Sequence, residues 1–96
     1  MIITIETSEK SIDVDQLMLM DTNYQEFKSL GFDGSSLLIY LFSIGGGVLF
    51  TELARIIINL IKRNDVKSVK INDIEIKGYS AEEVKSIIST VKNNEE

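Results

Sequence analysis

The chain predicts a small α+β domain, a three-stranded sheet packed by three helices. Three observations predict it. The N-terminal run Ile2-Ile3-Thr4-Ile5-Glu6-Thr7 is rich in β-branched residues. Two alternating segments mirror each other across Asn72-Asp73. Most of the remaining apolar residues recur at spacings of three and four.

Residues 2–7 are the first strand, and Ser8-Glu9-Lys10-Ser11 is a polar connection. A helix is expected over 13–30, because Val14, Leu17, Met20, Tyr24, Phe27 and Leu30 share one helical face. Gly31 suits its C′ position, with Phe32 at C″ against Phe27. Asp21-Thr22-Asn23 are poor helix formers, and Thr22 with Gln25 makes a capping box, so a break there with a second helix from about Asn23 is the alternative.

Asp33, Ser35 or Ser36 is expected to cap the next helix. Residues 36–63 read as one helix or two collinear ones, roughly 40 Å long at a rise of ~1.5 Å per residue. Its second half carries a polar stripe, Glu52, Arg55, Asn59 and Lys62, with Leu53, Ile56, Ile57, Leu60 and Ile61 over the rest. The first half is apolar all round, and a break at Gly45-Gly46-Gly47 is left open.

Residues 67–71 and 74–77 form a hairpin about Asn72-Asp73. That register puts Ile71 by Ile74 and Val69 by Ile76 on one side, and Lys70 by Glu75 on the other. The last helix, 81–92, opens with the capping box Ser80-Ala81-Glu82-Glu83 and buries Ala81, Val84, Ile87, Ile88 and Val91. Residues 93–96 are a fraying tail, and 1–96 is a single domain.

The 96 residues carry a formal charge of −5, which argues against nucleic-acid binding, since phosphate neutralisation needs clustered Lys and Arg. Cysteine and histidine are absent, so thiolate or histidine zinc sites and His-based triads are excluded. No other cofactor or metal is expected. MIITIETSEK lacks a basic start and an apolar core, so the expected compartment is the cytoplasm. Asp13 and Asp15 form a D-x-D without the later carboxylates of a calcium loop and read as helix N-terminal acids. Gly45-Gly46-Gly47 has no following Lys-Ser/Thr of a phosphate loop. Glu52 and Arg55 read as a surface pair. An enzyme acting through Asp13, Asp15 or Glu52 is the weakest class, and no catalytic residue is assigned.

The apolar stretch is then the informative feature. Leu37, Leu38, Tyr40, Leu41, Phe42, Ile44, Gly45, Gly46, Gly47, Val48, Leu49 and Phe50 are the expected interaction surface, with Lys62, Arg63, Lys67 and Lys70 as a basic flank. Burying one such large side chain is worth about 1.5–3 kcal/mol, and each helical glycine costs about 0.8–1 kcal/mol against alanine. A helix apolar round its whole circumference needs partners on all sides. Three readings follow: a buried central helix, an assembly surface where glycines admit a second backbone, or a bilayer segment. The uncharged run 34–51 reaches the lower limit of spanning length. A protein partner, either a second copy or an effector, is the expected occupant, with membrane association through 36–50 as the alternative.

The text GSSLLIYLFSIGGGVLFTELARIIINLIKR followed by SVKINDIEIKGYSAEEVKSII resembles the effector-associated constant component domains of bacterial conflict systems. The likeness covers most of 36–90 and, weakly, the first strand. It implies a non-catalytic adaptor or assembly subunit encoded beside effectors such as proteases in antiviral defence clusters. It transfers no catalytic residue.

Overall fold

The computed structural model describes residues 1–30 and 34–94. Its described residues form β1 (Ile2–Thr7), α1 (Ile12–Met20), β2 (Gln25–Leu30), β3 (Ser36–Ser43), α2 (Phe50–Ile61), β4 (Val66–Ile71), β5 (Ile74–Glu75) and α3 (Ala81–Asn94). The fold is α+β with three helices, but the sheet has five antiparallel strands in the order β2-β3-β1-β4-β5. The sequence expectation of three strands is corrected, and so is the long central helix.

Two segments account for the difference. Residues 36–43 are a strand, so the supposed central helix shortens to α2. Its first half is instead a strand paired on both sides. Residues 25–30 are also a strand, so the helix expected over 13–30 ends at Met20. Asp21 enforces that end. One carboxylate oxygen accepts the Asn23 N–H at 3.0 Å, and the other accepts the Ser43 N–H at 2.8 Å. The side chain thus offers the backbone a turn and ties it to the end of β3. The caps expected at Gly31, Phe32 and Asp33 lie outside the described residues, and Ser36 opens a strand rather than a helix.

β1 is central, and α1 and α2 connect strands that flank a third. This is the βαββαβ order of the split βαβ, or ferredoxin-like, topology, extended by β5 and α3. Ile3, Ile5 and Thr7 of β1 lie in register with Phe42, Tyr40 and Leu38 on one side and with Ile71, Val69 and Val66 on the other. That inner face carries the core, closed by Val14 and Leu17 of α1 and Leu53, Ile56, Ile57 and Leu60 of α2. α3 adds Val84, Ile88 and Val91 against α2.

Local chemistry fixes the ends. The Ser11 hydroxyl accepts the Val14 N–H and caps α1. Ser80 and Glu83 exchange the two hydrogen bonds of the capping box, at 3.1 and 3.2 Å. The β4–β5 hairpin has the expected pairs Lys70–Glu75 and Ile71–Ile74. Asn72 takes φ +53, and its side-chain oxygen accepts the Ile2 N–H at 2.9 Å. Lys77 donates to the Ile61 and Arg63 carbonyls, satisfying the open C-terminal end of α2.

Candidate interaction surface

Each strand of an antiparallel sheet sends alternate side chains to opposite faces. In β3, Leu38, Tyr40 and Phe42 point to the helices, and Leu37, Ile39 and Leu41 point away. Every fully buried sheet residue lies on the helix side, and the helices pack there. On the outer face, the ladder aligns Phe27, Ile39, Glu6 and Ser68 in one row, and Gln25, Leu41, Thr4, Lys70 and Glu75 in the next. On the β2–β3 half of that face Phe27, Leu37, Ile39 and Leu41 sit beside Gln25 and Ser29, and the β4–β5 half carries Lys70 and Glu75. Phe27 is 50% exposed and Ile2 39% exposed.

The twelve residues expected as one interaction surface therefore separate. Tyr40, Phe42 and Ile44 are core. Leu38, Val48 and Phe50 are partly buried against it. Leu37 and Leu41 belong to the outer face. Leu49 precedes α2 and is 72% exposed. Gly45, Gly46 and Gly47 are exposed loop, none has a positive φ, and a Cβ on any of them would meet nothing within 4 Å. Close approach of another part of the protomer does not explain these glycines.

Sequence reasoning missed three members of the outer face. Ile39 was hidden because both parities of LLIYLF are apolar, so alternation leaves no trace there. Phe27 was hidden because Tyr24, Phe27 and Leu30 also satisfy a helical spacing. Ile2 was assigned to the first strand without a face.

The basic flank also divides. The Arg63 guanidinium meets Asp65 at 3.0 Å and Asp13 at 3.8 Å, so it serves the fold. Its hydrogen bond holds the Asp65 carboxyl below the usual carboxylate range. Lys70 lies across the ladder from Glu75, and Lys62 and Lys67 are exposed. The 36–50 segment is strand, loop and the start of α2. No helix of the described residues is long and apolar enough to cross a membrane.

Of the acids weighed for catalysis, Asp13 and Asp15 stand in the first turn of α1, and Glu52 pairs with Arg55 at 2.7 Å. Among the described residues, no group of three or more acidic side chains is placed to hold a metal ion. Two shallow clefts, of about 400 and 460 Å3, lie at the Lys28–Leu38 end of β2–β3 and between α2 and α3 beside Arg55 and Lys85.

At the sheet margin, burial and a hydrogen bond to the Glu26 carboxylate hold the Tyr40 phenol well above its usual range. Glu26 stands opposite Tyr40 on β2, the edge strand, every residue of which is exposed. No family model, no curated protein and no solved structure matches this chain.

Proposed function

We propose that the protein is a non-enzymatic interaction module that assembles through the β2–β3 side of its sheet. The observation that carries this reading is the apolar group Phe27, Leu37, Ile39 and Leu41 on the outer face, which no helix or strand of the described residues covers and which is continuous with the edge strand β2. Antiparallel sheets tolerate one wet face, but that face is then usually polar. Clustered apolar residues on it mark an interaction site. The ferredoxin-like topology does not supply a function by itself. The resemblance of residues 36–90 to effector-associated constant components favours an adaptor subunit of a bacterial defence system, docking itself or an effector.

Leu41→Lys tests the reading, because it alters the outer face without entering the core. The natural chain is expected to exceed its monomer mass by light scattering, or to retain a partner in stoichiometric amount when purified by a tag from its host. Leu41→Lys is expected to lose that association while keeping its circular dichroism spectrum. A natural chain that is strictly monomeric and retains nothing overturns the proposal.

A further inference from the structure

The free edge of β2 has a self-complementary charge pattern, and the ladder fixes which of its backbone groups face outward. In an antiparallel sheet the N–H and C=O of one residue point to the same side, and those of the next point to the other. The Ile44 N–H donates to the Met1 carbonyl at 2.8 Å, so the hydrogen-bonded pairs of β1 and β3 include Ile3–Phe42 and Ile5–Tyr40. Leu37, Ile39 and Leu41 therefore turn their backbone groups toward β2, where they meet Ser29, Phe27 and Gln25. Glu26, Lys28 and Leu30 direct theirs to the open edge.

A second strand adding to this edge must set its own outward residues opposite these. For two copies of QEFKSL related by a two-fold axis, few registers satisfy that rule. With the axis on Lys28, two lysines face each other. With the axis on Glu26, two carboxylates do. With the axis on Phe27, Glu26 faces the second copy's Lys28 twice, and the two Phe27 rings meet in the non-hydrogen-bonded site, where side chains lie closest. Among the described residues Lys28 has no ion-pair partner in its own protomer.

Resting on the interaction reading above, we propose that its partner is a second copy of this chain, joined by antiparallel β2–β2 pairing centred on Phe27. The two sheets become one, with all helices on one side. On the other side, Ile39 and Phe27 of each copy form an unbroken apolar row across the axis. Glu26 keeps its bond to the Tyr40 hydroxyl through one oxygen and offers the other to Lys28 of the second copy. The occupied edge also removes an open template for uncontrolled strand addition.

The chain has no cysteine, so Phe27→Cys introduces a single thiol at the axis. Non-hydrogen-bonded pairs have Cα atoms ~4.5 Å apart, within the ~4.4–6.8 Å that a disulfide spans. Mild oxidation is expected to convert Phe27→Cys into a covalent dimer at micromolar concentration, whereas Lys28→Cys, offset diagonally, forms far less. Lys28→Glu is expected to weaken self-association about tenfold, because both cross-axis pairs become repulsive. Glu26→Lys weakens it similarly, and mixing those two variants restores association as a heterodimer. Restoration also shows that both variants fold.

A natural chain that stays monomeric at millimolar concentration overturns this proposal. If such a monomer still retains a different protein through Leu41, the interaction reading stands. A dimer that Phe27→Cys fails to lock, or that Lys28→Glu leaves intact, places the contact elsewhere. It overturns the edge pairing, and the interaction reading then stands only if Leu41→Lys still abolishes that dimer.

Discussion

The two faces of β3 carry almost the same chemistry and have different surroundings. Leu38, Tyr40 and Phe42 face the helices, and Tyr40 and Phe42 are fully buried. Leu37, Ile39 and Leu41 sit one residue out of phase and stay partly exposed. Apolar character therefore does not separate the core face from the outer face in this strand. The layer packed on each face does, and only the inner face has α1 and α2 upon it.

The largest test of that difference is a pair of truncations on adjacent residues. Phe42→Ala is expected to cost about 3–5 kcal/mol in denaturant unfolding, because it empties a packed interior. Leu41→Ala is expected to cost less than about 1 kcal/mol in the separated protomer, since part of its surface is already in water. Equal costs would mean that the outer face is covered.

Tyr40→Phe probes the inner face more finely. It removes the hydroxyl that donates to Glu26, and a loss of about 1 kcal/mol is expected. Glu26 then changes its neighbours at the edge, so the dimer should weaken modestly as well.

Acid reaches the inner face from its margin. Asp65 has a lowered pKa because Arg63 donates a hydrogen bond to it. The unfolded chain therefore takes up that proton first. The stability Asp65 contributes is full above its unfolded pKa of about 4 and disappears as pH falls through the lower folded value. Asp65→Asn should flatten the acid limb of a stability–pH curve and leave the dimer interface unchanged. A limb of unaltered steepness would show that Arg63 does not stabilise this carboxylate.

The smallest effect is expected in the loop after β3. Gly46→Ala meets open space and ordinary backbone geometry, so stability should move by less than about 1 kcal/mol, with no change of mass in solution. A lost assembly would instead make the glycines part of the contact.

Much of this molecule was legible where one signal acted alone. The Ser80–Glu83 box, the Asn72 turn, the Lys70–Glu75 pair and the polar stripe of α2 all follow from fixed spacings. Residues 36–43 were not legible, because a strand apolar on both faces has the pattern of a buried helix. No proline marked its end, and the glycine boundary fell inside a run of hydrophobic residues. Residues 25–30 failed for a related reason. QEFKSL is an edge strand with little burial, so its few apolar residues fitted either period. The expected surface drew on both faces of β3, since assigning a face requires the pairing register.

The central position of β1 also bears on how the chain matures. Ile3 finds its neighbours only when Phe42 and Ile71 have been made. β1 therefore waits, oily and without its full set of neighbours, until the rest of the sheet has emerged from the ribosome. Such distant pairing slows collapse into the native state and exposes the nascent chain to misassembly meanwhile. Ribosome-stalled chains ending before Val66 should remain sensitive to protease, and resistance should arrive only once β4 clears the exit tunnel.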